Sequence, residues 1–315
     1  MIKRILYIIL LLAFLAACGG ASASAPTAAQ TGAASIPPAT ATDPLPTVTA
    51  EVTAANTQAA TATATLAPDA WKDLPVIPAG VSPRVREIYA LGQSLGNNPD
   101  AFSKFGDCDT SASWFLEDFD LNPAPYVLGD YSALQAVIEV FHGSYSRVSA
   151  AAAKGAVAAS MLSPIWNTSP LCKGSESPMA CEVRLNRPSF VFISLGTNDY
   201  NHRQEFEPNM RKILDSLIGL GIVPILATKA DNLEGDYSIN ATIARLAYEY
   251  QLPLWNFWRS VQPLPNQGLQ ADKSHLTFGQ NIFNDPVRMQ MAWPWRNLTA
   301  LQTLDVVWRG ASAQP

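Results

Sequence analysis

The sequence contains few of the side chains that bind metal ions or polyanions. Only three of its 315 residues are histidines, and His142, His202 and His275 lack metal-ligand spacing. Its lysines and arginines form no basic stretch, and the formal net charge is −5. Nucleic-acid binding depends on clustered basic side chains, so this composition disfavours it. We therefore predict no catalytic metal, no cofactor and no nucleic-acid partner.

The N-terminus lacks an apolar run long enough to span a bilayer, which takes about 20 residues. Lys3 and Arg4 precede the apolar stretch 5–15, as in a signal peptide. The sequence Leu-Ala-Ala-Cys at 15–18 is similar to the lipobox of bacterial lipoproteins. An ordinary cleaved signal peptide is the alternative. We expect residues 1–18 to be a lipoprotein signal peptide with its lipobox. Lipid on Cys18 would then anchor the protein to the membrane, in the extracytoplasmic part of a bacterial cell envelope.

Residues 19–70 lack the large apolar side chains that build a core. They are mostly Ala, Thr, Ser and Pro, and before position 69 their charged residues are Asp43 and Glu51. Such a composition offers too little apolar surface to offset the entropy that ordering would cost. We predict a disordered tether over 19–70 and one folded domain over 71–315.

Cysteine is scarce, with four residues in the chain. With Cys18 assigned to the lipid, Cys172 and Cys181 bracket a short polar loop. An exported protein is in a compartment where disulfides persist, and so short a loop is easily closed. We predict a disulfide between Cys172 and Cys181, which leaves Cys108 as a free thiol.

Turn residues and hydrophobic periodicity predict strands that alternate with amphipathic helices. The predicted strands cover 101–105, 190–195, 222–228 and 252–258. The predicted helices cover 83 to 92 or 96, 131–141, 150–161, 208 to 219 or 221, 238–250 and 297–308. Long crossovers between strands are typical of parallel βαβ units. We predict an α/β fold, a flavodoxin-like three-layer α/β/α sandwich with a central parallel sheet.

Two polar motifs indicate a site at the carboxyl edge of this sheet. The strand 190–195 ends at the sequence Gly-Thr-Asn-Asp, which places Asn198 where open α/β folds bind ligands. Later, the sequence Asp-Lys-Ser-His-Leu-Thr occupies 272–277. His275 has the chemistry of a general base, and Asp272 that of an orienting carboxylate.

The two motifs resemble blocks III and V of the SGNH (GDSL) hydrolase family, Gly-x-Asn-Asp and Asp-x-x-His-Leu/Pro-Thr. The sequence Gly-Asp-Cys at 106–108, after the first predicted strand, resembles block I of that family, Gly-Asp-Ser, with cysteine in place of serine. The resemblance extends over roughly residues 71–277 and implies the SGNH hydrolase fold.

In that family a serine attacks an acyl carbon, a histidine takes its proton and an aspartate orients the histidine. A glycine amide and an asparagine side chain, with the nucleophile's own amide, hold the oxyanion. The resemblance assigns these five roles in order to Cys108, His275, Asp272, Gly155 and Asn198. Gly143 is the alternative to Gly155.

The resemblance implies a tethered hydrolase that cleaves a small acyl ester or an acylated carbohydrate through an acyl intermediate on Cys108. A thiol is more acidic than a hydroxyl, with a free pKa of about 8.5, so nucleophilic attack remains feasible. Its larger sulfur would displace the intermediate in an oxyanion hole shaped for oxygen. The alternative is a catalytically inactive SGNH-fold module that binds a glycan or a peptide at the cell surface.

A second serine motif, Gly-Gln-Ser-Leu-Gly at 92–96, matches the G-x-S-x-G elbow of other hydrolases. That elbow requires a strand before the serine and a helix after it. Here a predicted helix precedes Ser94 and a Gly-Asn-Asn-Pro run follows it, so we interpret the motif as a helix end.

The remaining histidines and the late tryptophans have weaker assignments. We expect a structural role for His142 and a position at the rim of the site for His202. Four tryptophans are expected to pack in the core rather than to bind substrate: Trp255, Trp258, Trp293 and Trp295.

Overall fold

The computed structural model describes residues 66–111 and 113–313. The predicted signal peptide, Cys18 and the predicted tether up to residue 65 lie outside these ranges. Within them, no helix combines the length and apolar character needed to cross a membrane. The first buried side chain is that of Trp71, which packs on Trp258 with ring centroids 4.8 Å apart. Its carbonyl accepts a hydrogen bond from Asn256 Nδ2 at 2.8 Å.

A sheet of four parallel strands lies at the centre of the domain. The strands β1 (Asn98–Gly106), β2 (Pro188–Ser194), β3 (Val223–Ala227) and β4 (Leu254–Trp255) pair in that order. The second half of β1, nearly all of β2 and all of β3 are buried, as expected of a parallel sheet covered on both faces. The predicted α/β class and parallel sheet are confirmed.

The described ranges contain α-helices that pack in two groups. They are α1 (Pro83–Ser94), α2 (Cys108–Ser111), α3 (Gln135–Val140), α4 (Pro178–Asn186), α5 (Arg203–Gly219), α6 (Ser238–Glu249), α7 (Phe257–Val261) and α8 (Ala292–Ser312). Helices α1, α3 and α7 contact α8, whereas α5 contacts α6 and a short helical segment that also contacts α4. Both groups contact strands, an arrangement compatible with the predicted three-layer sandwich.

Single turns of 3-10 helix occur in the connections. They cover Ala70–Asp73, Glu117–Asp120, Gly129–Leu134, Ala158–Leu162, Pro164–Trp166, Asn198–Asn201, Pro265–Gly268 and Arg288–Gln290. The predicted helix 131–141 is thus divided between a 3-10 turn and α3.

The outer edge of β1 makes one further parallel contact. Gly106 N donates to Ala151 O at 3.0 Å, and Gly106 O accepts from Ala153 N at 3.1 Å, so Ala152 forms a single bridge with the end of β1. The chain therefore passes from one side of β1 to the other before it forms β2. Such a change of side is where open α/β sheets bind ligands.

Capping residues place α1 where the sequence predicts it. Ser82 Oγ accepts a hydrogen bond from Val85 N at 3.2 Å, and Pro83 occupies the first helical position. Val85 and Ile88 bury the apolar face of the helix.

The helix predicted over 150–161 is wrong. This segment is a loop that ends in the 3-10 turn Ala158–Leu162. Its backbone binds tertiary partners instead: Ala150 N donates to the Glu182 carboxylate at 2.8 Å and Ala158 N to the Asp199 carboxylate at 3.0 Å. These contacts outweigh the helix propensity of alanine, which favours a helix by less than about 1 kcal/mol per residue over most other residues.

Two further elements differ in their bounds. Helix α5 begins at Arg203, five residues before the predicted start, and Pro208 lies inside it. The strand predicted over 252–258 is only two residues long, Leu254–Trp255, because α7 begins at Phe257.

Cys172 and Cys181 form the predicted disulfide, with Cα atoms 5.3 Å apart. Cys181 lies in α4, a helix absent from the predicted elements. Its start carries the same signals as α1, because Ser177 Oγ accepts from Ala180 N and Pro178 follows as the first helical residue.

Candidate active site

The predicted nucleophile lies at the carboxyl end of β1. Gly106 ends the strand, Asp107 follows, and Cys108 begins the single turn of α2. The Asp107 carbonyl accepts from Thr110 N at 3.1 Å, and its carboxylate accepts from Asp109 N at 3.1 Å. A side chain at Gly106 would overlap Thr110 Oγ1, so glycine allows the turn to fold back onto the strand.

The predicted base lies in a tight loop. Asp272 Oδ1 accepts from the backbone amides of Ser274 and His275, both at 3.0 Å. Asp272 Oδ2 lies 2.7 Å from His275 Nδ1. Lys273, between them, has a left-handed backbone with φ of 60°. One aspartate thus fixes both the loop and the imidazole, whose Nε2 remains available as a proton acceptor.

The structure brings the two halves together. Cys108 Sγ lies 3.7 Å from His275 Nε2, across 167 positions of sequence. Burial, followed by the charges of Asp107 and Asp109, raises the pKa of the Cys108 thiol to about 11. The hydrogen bond with Asp272 raises the pKa of His275. The thiol therefore keeps its proton at neutral pH, and a reaction at sulfur requires His275 to remove that proton during the attack.

Acidic side chains beneath Cys108 are held in a buried environment. Burial raises the pKa of Asp107 to about 7 and also raises that of Asp109, although the Arg296 guanidinium opposes both shifts. Arg296 is only 4% exposed, and its guanidinium lies 4.5 Å from the centroid of the Phe115 ring. A buried charge needs such neighbours, because burial without partners is costly.

A small polar cavity separates Arg296 from these acids. Its volume is about 20 Å³, enough for one water molecule. Arg296 and Ser194 both line it, and within residues 66–111 and 113–313 neither Arg296 Nε nor Ser194 Oγ has a hydrogen-bond partner. Asp231 and Lys229 close the far side, where Lys229 Nζ contacts Asp231 Oδ1 at 2.7 Å.

Asn198 lies in the 3-10 turn that follows β2 and is fastened to the loop beside β1. Its Nδ2 donates to Ala156 O at 3.2 Å. The neighbouring Asp199 is buried, which raises its pKa to about 6, and its carboxylate accepts from Ala158 N. The loop 151–158 is therefore tied to Gly106 at one end and to the Asn198 turn at the other.

The two glycines considered for the oxyanion hole differ in whether their backbone amide already donates a hydrogen bond. Gly143 N donates to Asp120 Oδ1 at 2.8 Å and is therefore occupied. Gly155 lies in the loop tied to Asn198, has a φ of +77° and is exposed, and its amide makes no hydrogen bond within the described ranges. Of the two, Gly155 has the free donor that an oxyanion requires.

The other predicted residues lie outside this arrangement. Ser94 ends α1, donates to Leu91 O and has no strand before it. His142 and His202 are exposed and make no side-chain hydrogen bond among the described residues. Among the late tryptophans, Trp255 and Trp293 are buried, whereas Trp258 and Trp295 are partly buried.

Sequence reasoning missed the surroundings of the nucleophile. Asp107 and Asp109 flank Cys108 in the motif, but their burial depends on packing that no local pattern encodes. Arg296 did have a signal, because it is a lone charge in a run of apolar and aromatic residues on α8. Such a charge on an apolar helix face is a candidate buried partner.

One group of side chains in the described ranges has the proximity of a metal site. Cys172, Glu176 and Cys181 lie close together. Both sulfurs are used in the disulfide, and the Glu176 carboxylate binds Arg184. This group therefore has no free thiolate to offer a metal.

Comparison of the chain with models of known protein families and with curated proteins gives no match.

Proposed function

We propose that the protein is an ester hydrolase of SGNH (GDSL) type, with Cys108 as nucleophile, His275 as general base and Asp272 as the residue that orients it. The observation that supports this most is a pair of contacts that connect the three side chains in series. Cys108 Sγ is 3.7 Å from His275 Nε2, and His275 Nδ1 is 2.7 Å from Asp272 Oδ2. Nucleophile, base and orienting group in this order are the arrangement that covalent acyl transfer uses.

The first step forms a thioester. Asp272 accepts a hydrogen bond from the Nδ1–H group of the imidazole, so Nε2 has its lone pair free. As Sγ attacks the acyl carbon, the thiol proton passes to His275 Nε2 and the carbonyl oxygen becomes negative. The amides of Cys108 and Gly155 and the side chain of Asn198 are the donors proposed for that oxygen. Collapse of the intermediate breaks the ester bond, and His275 returns the proton to the departing alcohol.

The second step releases the acid. Water gives a proton to His275 Nε2 as its oxygen attacks the thioester carbon. The carbon–sulfur bond then breaks, and the proton returns to Sγ. The acids around the pair favour a positive imidazolium during both steps, because Asp272 and Asp109 face it. They disfavour a thiolate, so attack and proton transfer are coupled.

One observation favours the alternative of an inactive module that binds a glycan or a peptide. The raised pKa of Cys108 is opposite to that of an activated thiolate. The same environment is compatible with a nucleophile that stays neutral until it attacks, because the hydroxyl of a serine nucleophile also loses its proton only during attack. The alternative predicts ligand binding with no turnover.

The test is hydrolysis of 4-nitrophenyl acetate by the full chain. We expect Cys108→Ala and His275→Gln each to lower kcat/KM by about 100-fold or more, because each removes a group required in both steps. His202→Gln is the matched control, since His202 is exposed and makes no side-chain hydrogen bond within the described residues.

Mass spectrometry of acid-quenched enzyme should find an acetyl group on the peptide that contains Cys108. Turnover that neither Cys108→Ala nor His275→Gln reduces would overturn the mechanism. Absence of turnover in the unmodified chain, with retention on a glycan column, would favour the binding module.

We also propose that the protein is anchored through lipid on Cys18 at the outer face of a bacterial membrane, with residues 19–70 as the tether. The support is the lipobox-like sequence and the composition of the tether. Expression of the full chain in bacteria tests this proposal. Cys18→Ala should move the protein from the membrane fraction to the soluble fraction, and an unchanged distribution would contradict it.

A further inference from the structure

Two aromatic rings are exposed beside the proposed site. Trp114 and Phe278 are each 50% exposed, and their ring centroids lie 4.9 Å apart. A third ring, Trp293, is buried and contacts Trp114 edge-on at 5.8 Å. We call Trp114 and Phe278 the aromatic platform. Aromatic side chains carry large apolar faces, so a pair left half-exposed in contact is a candidate binding surface.

The chain itself places the aromatic platform near the reacting atoms. Phe278 follows His275 by three residues, so their Cα atoms are at most about 10 Å apart. Trp114 follows Cys108 by six residues and contacts Phe278. Each ring of the platform therefore follows one of the two proposed reacting groups within six residues of sequence.

A buried polar network holds the platform in position. Asn297 is 1% exposed, and its Nδ2 donates to Trp114 O at 2.7 Å and to Asn281 Oδ1 at 3.0 Å. Its Oδ1 accepts from Leu116 N at 2.9 Å. Asn281 Nδ2 in turn donates to Asp118 Oδ2 at 2.8 Å. Because these hydrogen bonds fix the backbone around Trp114, the ring loses little conformational entropy when a ligand binds.

The cavity at the platform has the lining expected of a sugar site. Its volume is about 170 Å³, below the range of drug-sized pockets and suited to a single ring. Three aromatic rings share it with Asp118, Gln280 and Asn281. Asp118 Oδ1 accepts no hydrogen bond among the described residues, so it is available to a hydroxyl donor. A planar apolar face next to fixed polar groups matches a pyranose ring, which has apolar faces and a polar rim.

The large apolar groove lies away from the proposed reacting atoms. That groove, about 520 Å³ in volume, is lined by residues that include Leu74, Val81, Leu252 and Leu254. It lies where the chain enters β4, at the amino edge of the sheet, whereas Cys108 follows the carboxyl end of β1. The cavity beside Asp272 has a mixed lining, in which Asn232, Gln267 and Gln270 lie next to Leu233, Leu264 and Leu269. A substrate bound in the large apolar groove would therefore lie at the edge of the sheet opposite to Cys108.

We propose that Trp114 and Phe278 bind the pyranose ring of an acyl sugar, which makes them specificity-determining residues for the alcohol part of the substrate. This inference rests on the proposed ester hydrolysis for its turnover assay, but the binding itself is testable without turnover.

The turnover assay uses the full chain with methyl 6-O-acetyl-β-glucopyranoside and with ethyl acetate, which has no ring. Trp114→Ala should lower kcat/KM for the sugar ester about tenfold, as expected from the loss of one stacking contact. It should change kcat/KM for ethyl acetate less than about twofold. Trp114→Phe should restore most of the loss, because it retains an aromatic face. Phe278→Ala is the second variant and should act in the same direction.

Trp166→Ala is the matched control. Trp166 is 53% exposed and lies in the 3-10 turn Pro164–Trp166, so its removal deletes an equally exposed indole. Thermal unfolding followed by circular dichroism checks that each variant is folded. Equal losses of kcat/KM for the sugar ester and for ethyl acetate would overturn the proposed role of the aromatic platform. A loss in Trp166→Ala equal to that in Trp114→Ala would overturn it as well.

Binding is measured separately by saturation-transfer NMR with methyl β-glucopyranoside, which has no ester. Signal that disappears in Trp114→Ala and persists in Trp166→Ala supports the platform even if no ester is hydrolysed, in which case only the proposed hydrolysis fails. Absence of signal in the unmodified chain overturns the platform, whatever the esterase result.

Discussion

Two aspartates of the candidate site, one on each side of the Cys108–His275 contact, have opposite pKa shifts. Burial raises the pKa of Asp107 to about 7, whereas hydrogen bonds from Ser274 N, the His275 side chain and His275 N lower the pKa of Asp272 to about 2. Asp107 is 4% exposed, and the Asp272 side chain is 49% exposed. Near neutral pH Asp107 is therefore partly protonated, whereas Asp272 is charged.

The difference shows how each half of the site is built. The charge of Asp272 is fixed by its neighbours two and three residues along the chain, so the base loop depends mainly on local structure. The state of Asp107 depends on the core beneath it and on Arg296, which reaches it from α8. The proposed nucleophile is therefore sensitive to distant packing, and the proposed base is sensitive to the few residues around it.

The largest expected effect comes from the loop that contains Asp272 and His275, the half of the site that depends mainly on local structure. Asp272→Asn removes the charge that orients and supports His275, and we expect kcat/KM for 4-nitrophenyl acetate to fall by about 100-fold. His275 must be neutral to act as base, and Asp272 raises its pKa. The acid limb of the pH–rate profile should therefore move to lower pH in the variant. Asp285→Asn is the control, because Asp285 Oδ1 likewise accepts from the backbone amides two and three residues further on. An acid limb that stays in place in Asp272→Asn would contradict the assigned role.

The next effect is on stability, in the buried half. Asp107 has a folded-state pKa of about 7 against an ordinary value of 3.8, so the folded state binds its proton more tightly than the unfolded state. Its contribution to stability is therefore lost as pH rises through the window from about 4 to 7, by about 4 kcal/mol at most.

Asp107→Asn removes this titration and should raise the free energy of unfolding at pH 8 by about 2–4 kcal/mol, with little change at pH 4. Urea unfolding at the two pH values measures it. Asp130→Asn is the exposed control. An unfolding free energy of the Asp107→Asn variant that still falls between pH 4 and 8 as in the unmodified chain would assign the dependence to another group.

The smallest effect concerns the turn between Asp272 and His275. Lys273 has a φ of 60°, a conformation that costs a non-glycine residue about 1–2 kcal/mol. Glycine adopts it without that strain but loses about 0.5–1 kcal/mol more backbone entropy on folding. Lys273→Gly should therefore stabilise the domain by about 0.5 kcal/mol. Lys212→Gly, inside α5, should instead destabilise it by about 1 kcal/mol. Destabilisation by Lys273→Gly would show that its side chain contributes more than the strain costs.

Sequence patterns predict the parts of the fold whose signals are local. Helix α1 is predicted because Ser82 and Pro83 mark its start, and β2 because its apolar run is continuous. The segment 150–161 is mispredicted because its backbone is held by Glu182 and Asp199, which lie far away in sequence. Helix α4 shows a different failure, since the start signal at Ser177 is present but lies inside a stretch interpreted as a disulfide loop.

The residues of the candidate site also divide into those that local motifs predict and those that depend on tertiary packing. Motif spacing predicts that Cys108, Asp272 and His275 meet, and the structure places them in contact. It does not predict Arg296 or the burial of Asp107, because these depend on how α8 packs against the end of β1. The aromatic platform is missed for the same reason, since the exposure of Trp114 and Phe278 follows from the final packing.

The 167 positions between Cys108 and His275 have a consequence for the protein as it is made. The thiol emerges early during synthesis and the imidazole late, and nearly the whole sheet has to assemble before they meet. Chains truncated anywhere before residue 275 would therefore carry an unpaired thiol and no reactivity of the intact pair. The Cys108–His275 contact therefore forms only once the chain has been made and folded as far as residue 275.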